Sequence, residues 1–95
     1  MSVKEQSKQE YIARINKVMD YIDNHINEPL SLGTVAGVAN LSPYHFHRIF
    51  TLFSGESLSA FIQRIRIEKA ASLIREYKDI PISEIAYNCG FSSVS

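Results

Sequence analysis

The sequence has few of the residues that mark a secreted, membrane-bound or zinc-binding protein. Cys89 is its only cysteine, which excludes an internal disulfide and a multi-cysteine zinc site and is typical of a reducing compartment. No apolar run approaches the ~18 residues that a membrane span needs, and the polar opening of the chain lacks the apolar core of a signal peptide. We therefore expect a cytoplasmic protein.

Candidates for catalysis are also lacking. The sequence offers no pair of carboxylates, no nucleophile beside a base and no glycine-rich phosphate loop, because its four glycines are isolated. His45 and His47 are two residues apart, about 200° around a helix, so they cannot bind one metal ion as an i, i+4 pair could. We expect no enzymatic activity, no cofactor and no bound metal.

An excess of charge of one sign is absent as well, since ten basic and ten acidic residues cancel. Their distribution is uneven. Residues 1–41 carry four basic and five acidic groups, residues 42–66 three and one, and residues 67–95 three and four. The middle segment alone is net basic. It also holds His45 and His47, whose protonated forms a neighbouring phosphate would favour.

Helical periodicity is the main positive signal. A chain of 95 residues, 45% of them apolar, is enough for one folded domain. After a polar segment at 1–10, apolar residues recur three or four apart from Tyr11 to about Asn27, which predicts a first helix. Its apolar stripe consists of Ile12, Ile15, Met19, Ile22 and Ile26.

Serine residues predict where the next three helices begin, because a serine hydroxyl can accept a backbone N–H at a helix N-terminus. Ser31 precedes a short second helix. Ser42, followed by Pro43 at the first helical position, begins a third helix that ends at Gly55. The residues predicted to face inward on the second helix are Leu32, Val35, Ala36 and Ala39.

Ser57 begins a fourth helix that runs to about Tyr77. Some twenty residues form a rod of roughly 30 Å, close to the ~34 Å of one DNA turn, so we expect a rigid spacer. Its predicted apolar side consists of Leu58, Phe61, Ile62, Ile65, Leu73 and Ile74. A fifth helix is predicted from Ile82 to about Cys89.

An internal repeat relates the second and fifth helices at an offset of fifty residues. The matched pairs are Leu32 with Ile82, Val35 with Ile85, Ala36 with Ala86, Ala39 with Cys89, Asn40 with Gly90, Leu41 with Phe91, and Ser42 with Ser92. Each copy has small inward residues, a turn residue that tolerates a left-handed backbone, an apolar residue and an N-cap, which is typical of a helix-turn-helix. Cys89, matched to Ala39, should be a buried, inert thiol.

The predicted fold is therefore all-α and homeodomain-like. It has one complete helix-turn-helix unit at about 31–54, a linker helix at about 57–77, and an incomplete second unit at about 82–95. A helical hairpin without a DNA role is the alternative that such a pattern leaves open.

The third helix should have two different faces. Phe46, Ile49, Phe50 and Phe53 follow the i, i+3, i+4, i+7 spacing of a buried stripe. Tyr44, His47, Arg48 and Thr51 share the opposite side. Arginine, histidine and tyrosine side chains suit base edges in a major groove, although an ordinary solvated helix face has the same pattern.

Other polar residues have two interpretations each. Ser31 and Ser42 lie at helix N-termini, which favour a bound phosphate, but they also serve as caps. Arg64 and Arg66 could contact a DNA backbone. We favour structural pairing for both, with an acidic group such as Glu68.

These features resemble the DNA-binding domain of the AraC family of bacterial transcription regulators, in which a long helix joins two helix-turn-helix units. The resemblance covers about residues 11–95. It rests on Ser42, Phe46, Arg48, Phe50, Phe53, Gly55, Phe61, Arg66, Ala70, Leu73, Ile74, Ile82, Ile85, Ala86, Gly90 and Phe91.

The resemblance implies that Tyr44, His47 and Arg48 face the bases of double-stranded promoter DNA. It also implies contact with RNA polymerase. Two residues depart from the family pattern: Asn40 replaces the usual glycine, and Thr51 occupies a backbone-contacting position where lysine is common. We expect the second change to weaken binding.

The family pattern also continues past Phe91 into a second recognition helix. At the offset of fifty residues, Val94 matches Tyr44, and the positions that would match His47 and Arg48 fall after Ser95. We therefore expect a fragment that binds one half-site weakly, with any effector-binding domain after it. An exposed apolar face on Ile82, Ile85, Ala86 and Phe91 would favour self-association. The main alternative function is a helical protein-interaction module, which zero net charge favours.

Overall fold

The fold consists of five α-helices. A computed structural model describes residues 3–91, with side chains from residue 7 onward, and that part of the chain contains no strand. The helices are α1 (Val3–Asn24), α2 (Leu32–Val38), α3 (Pro43–Ser54), α4 (Leu58–Glu76) and α5 (Ile82–Asn88). None of these helices is long and apolar enough to cross a membrane.

The first helix begins and ends earlier than its apolar stripe predicts. It starts at Val3 rather than Tyr11, because the preceding segment is rich in lysine, glutamate and glutamine, which favour helix, and has no proline or glycine. It ends at Asn24, and residues 25–27 form turns. His25 Nδ1 donates to the carbonyl oxygen of Tyr21 at 2.8 Å. Ile26 is still buried, although it lies beyond the helix.

The predicted serine caps are confirmed at all three positions. Each serine has an extended backbone, and its hydroxyl oxygen accepts a backbone N–H from the first turn of the helix that follows. The pairs are Ser31 with Thr34 at 3.1 Å, Ser42 with His45 at 3.2 Å, and Ser57 with Ala60 at 3.1 Å. Local side-chain chemistry thus fixes where α2, α3 and α4 begin.

The core is built where α1, α2, α3 and the first half of α4 meet. Phe46 and Phe50 of α3 are completely buried, and the rings of Phe50 and of Phe61 on α4 meet edge to face with centroids 5.4 Å apart. Val18, which the predicted stripe of α1 did not include, is also fully buried. The buried set is Ile15, Val18, Ile22, Ile26, Val35, Ala36, Ala39, Phe46, Phe50, Leu58, Phe61 and Ile62.

Three residues predicted to face inward are instead substantially exposed. Phe53 is 40% exposed, Leu32 37% and Ile74 43%, so these predictions were wrong. All three lie at or near a helix end, where the helical spacing continues but the neighbouring element no longer covers the side chain. Periodicity identifies a face of a helix, and packing decides how far along the helix that face is covered.

The predicted exposed face on α5 is also wrong in part. Ile85 is only 2% exposed and Cys89 is fully buried, while Ala86 and Phe91 are half-buried. Of the four named residues, Ile82 alone is exposed, at 69%. The predicted N-cap at Ser92 and the predicted match of Val94 to Tyr44 lie outside the described residues.

Candidate nucleic-acid interface

The turns after α2 and α5 have the same backbone hydrogen bonds, fifty residues apart. Leu41 N donates to Ala36 O at 3.0 Å, and Phe91 N donates to Ala86 O at 3.0 Å. The residues before them, Asn40 and Gly90, have φ angles of 58° and 94° and donate three residues back. This double hydrogen bond closes a helix through a left-handed residue. The predicted left-handed residues at both turns are therefore confirmed.

This turn sets the direction of α3. The helix leaves the turn through the Ser42 cap and Pro43, then buries Phe46 and Phe50 against the rest of the core. Because those two rings fix its rotation, the opposite side of α3 must face solvent. The turn and the two buried phenylalanines therefore determine which side of α3 is exposed to solvent.

The outer face of α3, which we define as Tyr44, His47, Arg48 and Thr51, is exposed at all four positions. Tyr44 is 73% exposed. These are the residues that the sequence predicts to point outward. No ring or guanidinium of this face is packed into the core, so all its donors and acceptors are accessible to a ligand.

The two predicted phosphate-facing serines differ. The Ser31 hydroxyl accepts from Thr34 N and also donates to Thr34 Oγ1 at 2.9 Å, so its hydrogen is already used within the chain. Ser42 accepts from His45 N, and a hydroxyl that accepts still carries a hydrogen to donate. Ser42 is also closer in sequence to the outer face of α3. Ser31 is therefore less available to a phosphate than Ser42.

The two histidines of α3 lie on different sides. His45 Nε2 is 3.4 Å from the Tyr11 hydroxyl, and the two rings meet edge to face with centroids 5.6 Å apart. His45 therefore belongs to the contact between α3 and α1. His47 lies beside Arg48 on the outer face. Only one of the two histidines is placed to touch a ligand of that face.

Leu52 is a residue that the sequence reasoning did not single out. It is 76% exposed and shares a shallow depression of about 290 Å³ with His47, Arg48 and Thr51. Its position outside the Phe46 and Phe50 stripe was the signal that could have identified it. An exposed leucine beside an arginine adds an apolar surface that suits a thymine methyl group.

Structural contacts use two of the three basic residues in the middle segment. Arg64 forms ion pairs with Glu56 at 2.7 Å and Glu68 at 3.1 Å. Its hydrogen bond with Glu56, and to a smaller extent that with Glu68, raises the pKa of Arg64. Arg66 donates to backbone carbonyls of the loop after α1. The predicted pairing of Arg64 with Glu68 is confirmed. The predicted acidic partner for Arg66 is wrong, because within residues 7–91 its side chain binds backbone carbonyls instead. Arg48 is the one of these three that belongs to the outer face.

A metal site or a reactive cysteine has little support in the described residues. No three histidine, cysteine, aspartate or glutamate side chains there group as metal ligands would. Burial raises the pKa of the Cys89 thiol, which disfavours the reactive thiolate. The arrangement as a whole is that of a helix-turn-helix nucleic-acid-binding domain, with a structured scaffold and one open polar helix face.

Comparison with known proteins identifies the family. The model of a helix-turn-helix domain family matches residues 35–95. A crystal structure of a transcriptional regulator from Chromobacterium violaceum, described as containing an AraC-type DNA-binding domain, superposes with a TM-score of 0.78 at 26% identity, over 85% of this chain and 71% of that one. The chain belongs to the AraC family of transcription regulators.

Curated relatives agree with this assignment. Regulatory protein PocR of Salmonella typhimurium is 36% identical over 83 residues, which are 87% of this chain and 27% of PocR. The transcriptional activator RhaS of Enterobacter sp. is 37% identical over 79 residues, which are 83% of this chain and 28% of RhaS. The chain thus spans little more than a quarter of the length of either regulator.

Proposed function

We propose that this chain binds double-stranded DNA by inserting α3 into the major groove, with Tyr44, His47 and Arg48 toward the base edges. The observation that carries the proposal is the exposure of the outer face of α3 directly opposite two fully buried phenylalanines. A helix held at a fixed rotation presents the same three side chains to each DNA site that it binds. Sequence-specific contacts require such a fixed set of side chains.

Each of the three side chains has a distinct role in this proposal. The Arg48 guanidinium carries paired donors that match the O6 and N7 acceptors of guanine. His47 donates a ring N–H to a base acceptor, and Tyr44 offers a hydroxyl together with an apolar ring. Arg48 supplies the largest share of the specificity, because a bidentate arginine contact discriminates most strongly between bases.

Backbone contacts complete the interface in this proposal. Ser42 donates its hydroxyl hydrogen to a phosphate at the start of α3, and Thr51 does so further along the same helix. Ser31 contributes least, because it must first give up its bond to Thr34 Oγ1. These contacts position the helix on the duplex without selecting a sequence.

The wider biological role also belongs to this proposal. Residues 11–95 form the DNA-binding domain, with the first helix-turn-helix unit at about 31–54, the linker helix at about 57–77 and the second unit from about 82. The chain acts in a bacterial cytoplasm, without catalysis, at promoters where it contacts RNA polymerase. Self-association would use the exposed surface around Ile82 at the C-terminal end.

The salt dependence of DNA binding tests the proposal. Fluorescence anisotropy with a labelled pool of random duplexes measures the dissociation constant of the wild-type chain at several salt concentrations. The logarithm of the binding constant should fall linearly with the logarithm of the salt concentration, with a slope of roughly −0.9 per phosphate contact. Selection of tight binders from the pool should then yield a common sequence. A flat salt response with no enriched sequence would contradict DNA binding and favour the protein-interaction module.

Arg48→Ala provides the site-specific arm of this experiment. It should weaken binding to the enriched sequence by about 5-fold to 150-fold. Arg75→Ala is the matched control, because Arg75 is also an exposed arginine but lies in the last turn of α4. Equal losses in the two variants would show that only total charge matters and would contradict the role assigned to α3.

A further inference from the structure

The second helix-turn-helix unit lies apart from the main core. The main core is formed by residues of α1, α2, α3 and α4, and it does not include the buried α5 residues Ile85 and Cys89. Those two side chains are buried on α5, which packs against α4. Packing against α4 alone does not determine the rotation of α5 relative to the first unit.

Gly90 makes the contact that bridges the two parts. A Cβ atom at Gly90 would collide with the carbonyl oxygen of Ile26 and lie 2.6 Å from Nε of Arg66. At Gly33, Gly37 and Gly55 a Cβ would meet no described atom within 4 Å. The backbone of the second turn is therefore packed directly on the loop that follows α1.

Arg66 holds the other side of that contact. Its Nε donates to the carbonyl oxygen of Ile26 at 3.1 Å, and its Nη2 donates to that of Glu28 at 2.9 Å. One planar guanidinium on α4 thus binds two carbonyl groups of a loop that lies 38 to 40 residues earlier in the chain. Lysine has no comparable pair of donors in a fixed plane.

The first unit shows that crowding, beyond backbone conformation, requires glycine at position 90. Asn40 occupies the equivalent place with a φ of 58° and is exposed. Asparagine tolerates the left-handed region, so a left-handed turn of this kind does not by itself demand glycine. Gly90 differs from Asn40 in having Ile26 O and Arg66 packed against its Cα.

We infer that Arg66 is a positioning residue: it binds the loop at residues 26–28 and forms, with that loop, the surface on which the turn at Gly90 is seated. The orientation of the second helix-turn-helix unit relative to the first is thereby fixed. The importance of that orientation for DNA rests on the proposed function, whereas the contact between Arg66, Ile26 and Gly90 does not.

Labelling of the buried Cys89 thiol measures this positioning without DNA. Arg66→Lys keeps the charge and loses the paired donors, and Arg64→Lys, two residues away on the same helix, is the matched control. Arg66→Lys should raise the labelling rate of Cys89 by a thiol reagent about tenfold, equivalent to about 1.4 kcal/mol. The increase should depend only weakly on low urea concentrations, because α5 detaches while the main core stays folded.

Two results would overturn the inference. One is an Arg66→Lys labelling rate equal to that of Arg64→Lys. The other is an increase with the steep urea dependence of global unfolding, which would make Arg66 a general stabilising residue. Either result leaves the DNA proposal intact, because the measurement contains no DNA.

A second substitution tests the Gly90 side of the contact. Gly90→Asn should also accelerate Cys89 labelling about tenfold, while Asn40→Gly, the reciprocal change in the first unit, should leave it unchanged within about twofold. In the double variant with Arg66→Lys the two increases should not multiply, because both break one contact. Independent, multiplicative effects, or a Gly90→Asn chain that labels at the wild-type rate, would contradict the inference. If Gly90→Asn does not fold, the labelling rates of Arg66→Lys and Arg64→Lys alone decide whether the inference holds.

Discussion

The ring of Phe50 meets the ring of Phe61 edge to face, with centroids 5.4 Å apart and planes at 81°. This contact joins α3 to α4 and fixes the rotation of α3. Phe50→Ala should therefore cost about 3 to 5 kcal/mol of unfolding free energy, through lost burial and an unfilled cavity. Leu52→Ala, two residues along the same helix and 76% exposed, should change it by less than about 0.5 kcal/mol. Urea unfolding followed by circular dichroism measures both, and similar costs would contradict the assigned packing.

Charge and geometry at Arg48 can be separated by a lysine substitution. Arg48→Lys retains the positive charge but not the paired donors that match guanine. The salt slope of DNA binding should stay the same, while the ratio of affinities for the selected and random duplexes should fall by about 5-fold or more. Anisotropy titrations with both duplexes give this ratio. Unchanged discrimination with an unchanged salt slope would place Arg48 at a phosphate instead, because lysine would replace it there.

Thr51 offers a gain of function. This position is exposed on the outer face of α3 and carries an uncharged side chain. Thr51→Lys should tighten DNA binding and steepen the salt slope by about 0.9, the value for one added phosphate contact. Thr51→Gln, similar in length but uncharged, is the control and should leave the slope unchanged. Equal slopes for the lysine and glutamine variants would show that position 51 does not approach the DNA backbone.

The Cys89 thiol should make stability depend on pH in the alkaline range. Burial raises the pKa of the Cys89 thiol above its ordinary value, so the unfolded chain loses this proton more easily than the folded one. The resulting stabilisation is fully present below the pKa of the unfolded state and is lost as pH rises through that of the folded state. Between about pH 7 and about pH 10 the urea midpoint should fall more in the wild type than in Cys89→Ala.

Alanine is a suitable replacement, because Ala39 occupies the equivalent position in the first unit and is buried there. All other ionisable side chains are the same in the two proteins, so the difference between the two curves isolates the thiol. Parallel curves would show that Cys89 is not desolvated.

The sequence predicts the local features of the fold well because their causes are local. A serine hydroxyl three residues before a free N–H, or a left-handed residue just after the last turn of a helix, involves only neighbours in the chain. The caps at Ser31 and Ser42 and the φ angles of Asn40 and Gly90 follow directly from such patterns. The repeat adds a second, independent instance of the same pattern.

Features that depend on distant residues were not predictable in the same way. Phe53 continues the apolar spacing of α3, but its exposure depends on whether another element reaches the end of that helix. Arg66 binds carbonyl oxygens, which every residue carries, so no sequence signal distinguishes its partners from others. The exposure of Tyr44, His47, Arg48 and Thr51 was predictable because it is the complement of a buried stripe. Their contacts with bases stay a prediction.

The uninterrupted run of α4 from Leu58 to Glu76 has a further consequence for how chains of this kind can change length. One residue inserted between Ile67 and Ser72 would displace α5 by only about 1.5 Å along the axis but would turn it by about 100°. The same insertion in the segment between α4 and α5 would be absorbed by the backbone there. Insertions and deletions should therefore be tolerated in the segment after α4, whereas within α4 they would change the rotation of α5 relative to the first unit.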